Sequence, residues 1–155
     1  MFREIRRKDR GVDTKDATQI LKKGEYGILS TVNEEGYAYG VPLSYVYMND
    51  AIYFHCAVTG HKLDNIKNNN KISFCVVGKT QPIAEKFTTN YESAIVFGKA
   101  EEVYDEEKYN ALVGILDKYS KGYMEPGIEH IKEANKRVKV IKISIENITG
   151  KARRG

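Results

Sequence analysis

The feature that most constrains this chain is a run of alternating apolar segments joined by tight turns. Tyr26 to Val32 alternates, Asn33-Glu34-Glu35-Gly36 turns the chain into a long segment from Tyr37 to Met48, and Asn49-Asp50 turns it again into Ala51 to Ala57. Alternation at period two marks half-buried strands, and turns this short join antiparallel neighbours. Further strands are expected at Lys71 to Val77 and Tyr91 to Tyr104, and a closing strand at Val138 to Ile145 has Ile141, Ile143 and Ile145 on one face. The fold expected is mainly β with peripheral helices, an α+β arrangement. Six antiparallel strands favour a closed or nearly closed barrel over an open sheet, because closure removes exposed edges.

Helical spacing fills the gaps between strands. Asp13 caps a helix with Ala17, Ile20 and Leu21 on one face, and Gly24 ends it. Residues 60 to 69 give a short helix with Leu63 and Ile66 inward, stopped by Asn68-Asn69-Asn70. Asp105 to Tyr119 is the longest helix, its Tyr109, Leu112, Val113, Leu116 and Tyr119 forming a core-facing stripe. After Glu125-Pro126-Gly127, another short helix covers roughly Ile128 to Asn135.

With 155 residues, 41% of them hydrophobic, the chain fits one domain spanning 1–155, with neither repeats nor the composition of disorder. Its formal charge of +4 is concentrated in a basic N-terminal arm, about 1–10, and a basic tail, 151–155, which carry +3 each and leave −2 for the middle. That distribution excludes a basic groove across the domain, and no aromatic residues interleave with the tail arginines, so no nucleic-acid partner is expected. No apolar run, Ile95-Val96-Phe97 among them, approaches the length needed to cross a bilayer and the first residues lack a signal-peptide core, so a cytoplasmic protein without a membrane partner is expected. Cys56 and Cys75 have no CxxC spacing and read as reduced core residues.

The chemistry points to the passage from Ile52 to Ile66. A strand through His55 and Cys56 leads into a Gly-containing turn, and His61 and Lys62 open a helix whose unpaired N–H groups favour an anion. The Thr59 hydroxyl, His61, Lys62 and the free N–H groups together suit a phosphate dianion. His55, Cys56 and His61, with Asp64, invite a test for zinc, but adjacent strand residues point to opposite faces, so no metal is expected. Val77-Gly78-Lys79-Thr80 ends like a P-loop, yet the first glycine of that pattern would fall at Ser73 inside a strand. GxGxxG, GxSxG and HExxH are all absent. In the strand from Tyr37, Ala38, Gly40, Pro42 and Ser44 make one face flat, which lets either a planar ligand or a packed helix approach the backbone. Ser93 and Gly98 in the later strand offer a donor and a second close approach.

Taken in order, five segments resemble the FMN-binding split-barrel superfamily that includes pyridoxamine 5′-phosphate oxidase, and most closely its nitroimidazole-resistance branch. They are Arg6 to Arg10, Tyr39 to Tyr45, Ile52 to Ile66, Thr88 to Ser93 with Val96 to Ala100, and Ile148 to Lys151. The resemblance implies a six-stranded split barrel, a homodimer with FMN in clefts between subunits, and small-molecule electron donors and acceptors. By position, Gly40, Val41, Pro42, Leu43 and Ser44 would border the isoalloxazine, His55 and Cys56 would lie along it, His61 and Lys62 would hold the phosphate, and Ser93 would replace a flavin-contacting glutamine. His55 is a candidate proton donor. The oxidase branch has a basic residue where this chain has Tyr39 or Gly40, and an arginine where it has His61, so the resemblance does not extend to pyridoxal-phosphate chemistry. It implies an FMN-dependent oxidoreductase acting on a small acceptor such as a nitroaromatic; a flavin- or haem-binding carrier or sensor without turnover is the alternative. Tyr45, Tyr47, Phe97 and Tyr104 are the expected interface residues.

Overall fold

The computed structural model describes residues 2–155. In chain order the elements are β1 (Gly11–Val12), α1 (Thr14–Lys23), β2 (Gly27–Val32), β3 (Ala38–Leu43), β4 (Val46–Met48), β5 (Ala51–Ala57), α2 (His61–Asn68), β6 (Lys71–Ile83), β7 (Thr88–Val103), α3 (Asp105–Tyr119), α4 (Met124–Ala134) and β8 (Val138–Arg153). All strand pairings among the described residues are antiparallel, in the order β3-β2-β6-β7-β8-β5-β4, with β1 on β8. β3 and β4 stand at opposite ends of this path yet are joined by Ser44 and Tyr45 alone. The sheet must therefore curl until its ends meet without a ladder between them, which is the architecture of a split barrel. Counting β3 and β4 as one interrupted strand and setting aside the two-residue β1 gives the six strands expected from the alternation.

Tyr45 fills the split. Its side chain is fully buried, packs edge-on against Phe74 at 4.9 Å and donates its hydroxyl proton to the Leu21 carbonyl at the end of α1. The Lys118 ammonium lies 3.8 Å from its ring centre, and its backbone N–H donates to the Tyr119 hydroxyl at 3.1 Å. Burial raises the pKa of its phenol. Tyr45 is thus a core residue and not the interface residue expected from the sequence.

Two apolar layers follow from the curl. Leu29, Ile52, Phe54, Phe74, Val96 and Ile143 pack inside the barrel. Outside it, Tyr53, Ala111, Leu112, Ile115, Ile131 and Val140 join β4, β5 and β8 to α3 and α4. β5 is consequently buried on both faces, with Ile52, Phe54 and Cys56 inward and Ala51 and Tyr53 toward the helices. Period-two geometry puts His55 on the helix side with Tyr53.

Several boundaries differ from those read in the sequence. The strand expected from Tyr37 to Met48 breaks at Ser44-Tyr45, where the chain changes ends of the sheet. β8 continues past Ile145 to Arg153, so most of the segment read as a basic tail is strand, and Arg154 is clamped by Asp16 at 2.8 and 2.9 Å and by Glu92 at 3.1 Å. α4 starts at Met124, taking Pro126 into its first turn, where no N–H is missed. Cys75 is only half-buried, on the outer face of β6, whereas Cys56 belongs to the core.

Candidate functional site

α2 begins directly after Gly60, and no side chain caps its first turn, so the N–H groups of its opening residues are free to meet an anion. His61 is exposed and Lys62 half-buried at that start, with exposed Thr59 just before. The helix is held from beneath: the Asn65 amide, 3% exposed, donates to the hydroxyl of Thr31 on β2 at 3.0 Å, and Ile66 enters the barrel core. Lys62 lies near enough to Cys56 that its charge favours the thiolate there, but burial outweighs this and raises the Cys56 pKa. Cys56 is therefore a packed thiol, not a nucleophile.

β3 flanks this turn. It pairs with β2 along one edge and has no strand partner among the described residues on the other, leaving backbone N–H and C=O groups available. Ala38, Gly40, Pro42 and Ser44 form its exposed, flat face, while Val41 and Leu43 pack against the barrel core and offer only their backbone. The ring of Tyr39 stacks on the imidazole of His61, centroids 4.0 Å apart and planes 29° from parallel. This contact joins the flat strand to the anion-accepting helix start.

Of the residues singled out in the sequence, Thr59, His61 and Lys62 lie together at the start of α2, where His61 meets Tyr39 of β3; Gly40 to Leu43 run on along β3 from that contact, and Ser44 lies beyond its far end. His55 and Cys56 separate to opposite faces of β5, Cys56 into the core and His55 into a cavity under α3 and α4 that it shares with Ser44. Ser93 lies mid-way along β7, between Val77 and Lys151, on the outward face that also carries exposed Ile95 and Phe97. Thr31, Asn65 and His130 went unremarked in the sequence, and Tyr39 was noted there only as a departure from the oxidase branch. Each acts through a partner distant in the chain, so only the asparagine beside Ile66 on the inward side of a short helix gave a local signal. No group of three or more His, Cys, Asp or Glu side chains among the described residues is placed to hold a metal ion. No helix among them is long and apolar enough to cross a membrane.

A split barrel whose flat edge strand adjoins an uncapped helix start defines a class of flavin-binding β proteins. The sequence matches the family model described as pyridoxamine 5′-phosphate oxidase over residues 13–152, and the chain belongs to that family of FMN-binding split barrels. Among solved structures it is similar to a Bacteroides thetaiotaomicron protein assigned to 5-nitroimidazole antibiotic resistance, at 27% identity and a TM-score of 0.74, covering 91% of this chain and 85% of that one. A Mesorhizobium loti FAD-binding protein aligns at 21% identity and TM-score 0.67, over 94% of this chain and 98% of its own. A flavocytochrome of Azotobacter vinelandii aligns at 20% identity and TM-score 0.79, over 98% of this chain and 73% of its own. These last two likenesses establish the fold. No curated protein matches the sequence.

Proposed function

We propose that this protein is an FMN-dependent oxidoreductase that passes electrons to a small acceptor, such as a nitroaromatic, and works as a homodimer. The observation that carries the reading is the Tyr39–His61 stack, which sets an uncapped, cationic helix start beside a flat edge strand. A phosphate fits the first and a planar heteroaromatic ring the second. His61, Lys62, Thr59 and the opening N–H groups of α2 would hold the phosphate, and the Gly40 to Ser44 backbone would meet the ring edge. The flavin supplies the electron transfer, while the protein binds, orients and excludes water. The assignment of the Bacteroides protein to nitroimidazole resistance supports the acceptor class.

Homodimerisation accounts for the residues one chain leaves apart. The outward face of β6 and β7 exposes Val77, Ile95 and Phe97 at 53%, 39% and 40%, with Phe2 stacked on Phe97 at 5.3 Å. A second copy seated there would cover this apolar face and bring Ser93 to its partner's site. Among the residues expected at the interface, Phe97 and Tyr104 are exposed, and Tyr47 is half-buried with its hydroxyl donating to Asp50 at 3.1 Å.

A second reading, a flavin or haem carrier without turnover, draws on the similarity to the flavocytochrome. Reconstitution with FMN separates the two. A flavin spectrum, reduction by NAD(P)H, ferredoxin or dithionite, and reoxidation by a nitroaromatic faster than by oxygen support the enzyme. Bound flavin that no acceptor reoxidises faster than oxygen supports the carrier. Absence of FMN binding refutes both the cofactor and the site, and a protein of 17.6 kDa in light scattering that still binds FMN refutes the intersubunit cleft.

A further inference from the structure

The last turn of α3 borders, through Tyr119, the cavity in which His55 and His130 meet. Lys118, one residue earlier, turns instead onto the step between β3 and β4. Its Nζ lies 3.8 Å from the centre of the Tyr45 ring and 5.1 Å from that of Tyr119, and it donates to the Tyr45 carbonyl at 2.9 Å. That carbonyl stands at the split in the sheet, where no ladder claims it. An ammonium carries three N–H donors, and this one has a single protein acceptor. No carboxylate among the described residues stands within ion-pairing distance of it.

Lys108 on the same helix gives the contrast. It is likewise half-buried, yet it donates to two carbonyls, those of Asn135 and Val138, at 2.7 and 2.9 Å. Lys139 and Lys142, also partly buried, face Glu102 at 3.6 Å and Glu107 at 3.4 Å. Burial without a counter-charge disfavours the ammonium and favours the neutral amine, whose lone pair is nucleophilic. The face of the Tyr45 ring favours the cation, but with no carboxylate to add to it burial prevails, and the Lys118 pKa is pushed down to about 8. The titratable side chains that face this amine are the phenols of Tyr45 and Tyr119. α1 sends Lys22 to the Tyr47 ring, 5.9 Å from its centre, and the segment after α1 presents the Glu25 carbonyl, to which Tyr119 donates at 2.6 Å.

We propose that Lys118 is a covalent capture site for small aldehydes. The amine nitrogen bonds the carbonyl carbon, and the carbonyl oxygen leaves as water with both amine protons, which gives an imine without oxidant or reductant. The rings of Tyr45 and Tyr119 offer an apolar surface beside the new C=N bond. The site does not depend on the flavin reading, because none of Gly40 to Ser44, Thr59, His61 or Lys62 takes part.

Reductive trapping of the full chain tests this. Propionaldehyde is added at pH 7 with sodium cyanoborohydride, whose hydride fixes the imine as a secondary amine, and each lysine is then quantified by digestion and mass spectrometry. At that pH about one Lys118 side chain in ten is neutral, against about one in 3,000 for an ordinary lysine. Lys118 should therefore be labelled about tenfold or more faster than half-buried Lys108 and than exposed Lys15 and Lys86. The ratio of Lys118 to Lys86 labelling should fall about tenfold or more as pH rises from 7 to 10 and ordinary lysines lose their protons, and it should vanish in denaturing urea. Lys118→Arg should remove the fast site and leave the other rates unchanged. The proposal is overturned if Lys118 is labelled no faster than Lys108 and Lys86, if their ratio stays constant with pH, or if urea leaves the ratio as it was. A chain that binds no FMN would refute the flavin reading and leave this selectivity in place.

Discussion

The hydrogen bond from Asn65 to Thr31 positions the start of α2, and its removal can be worked through quantitatively. Both side chains are nearly inaccessible, at 3% and 1%, and the donor–acceptor distance is 3.0 Å. Asn65→Leu leaves the Thr31 hydroxyl buried without its partner, a cost of about 1 to 3 kcal/mol, and Thr31→Val leaves the Asn65 amide in the same position. Replacing both partners by apolar groups removes both orphans, so the double variant should recover at least ~1 kcal/mol relative to the sum of the singles. At about 2 to 4 °C per kcal/mol for a domain of this size, each single variant should melt roughly 2 to 12 °C below the parent. Urea unfolding followed by circular dichroism at pH 7 yields all four corners of the cycle. FMN affinity, measured in parallel, should fall in the single variants and recover in the double. Additive losses within about 0.5 kcal/mol would refute the reasoning, because independent sites add and coupled ones do not.

Lys62→Ala should weaken FMN roughly ten- to a hundredfold, as expected for a charge-assisted bond worth about 1.5 to 3 kcal/mol, while riboflavin affinity, measured by the same fluorescence titration, stays unchanged. Gly98→Ala would place a Cβ 2.2 Å from the Ser144 carbonyl oxygen at the β7–β8 bulge, so denaturant unfolding should show a loss of about 3 kcal/mol. The Arg154 guanidinium bonded to Asp16 lowers the pKa of that carboxyl. The resulting stabilisation is present above the ordinary carboxylate pKa and is lost as pH falls through the lowered one. Arg154→Ala should therefore flatten the acid limb of the stability–pH curve, and an unchanged limb in thermal melts between pH 6 and 2 would disprove the linkage.

What the sequence disclosed and what it concealed divide along a physical line. Asp13 caps α1 by accepting from the Asp16 N–H at 2.8 Å, and Asn49 and Asp50 both take the left-handed conformation that a two-residue hairpin needs. Those signals are local, as is the apolar stripe of α3, and all were legible. The break at Ser44-Tyr45 was not, because Leu43, Tyr45 and Tyr47 keep the same alternation while the chain exchanges one neighbour for another. The far half of β6, Gly78 to Ile83, was missed because that ribbon exposes polar residues on both faces and has no alternation to read. At the site, the turn from Thr59 to Lys62 was visible as composition. The stack of Tyr39 on His61 and the meeting of His55 with His130 depend on long-range register and were invisible.

The two-residue step between the ends of the sheet also bears on how the chain folds. β2 with β3, β4 with β5, and β6 with β7 are sequence-local hairpins able to form early. β8 then joins the last two of these hairpins, pairing with β7 and, from more than half the chain away, with β5. Such high contact order predicts folding in milliseconds to seconds rather than microseconds. During synthesis the edges of β5 and β7 wait unpaired until Val138 to Arg153 has emerged, and this interval is when the nascent chain is most exposed to strand-to-strand aggregation.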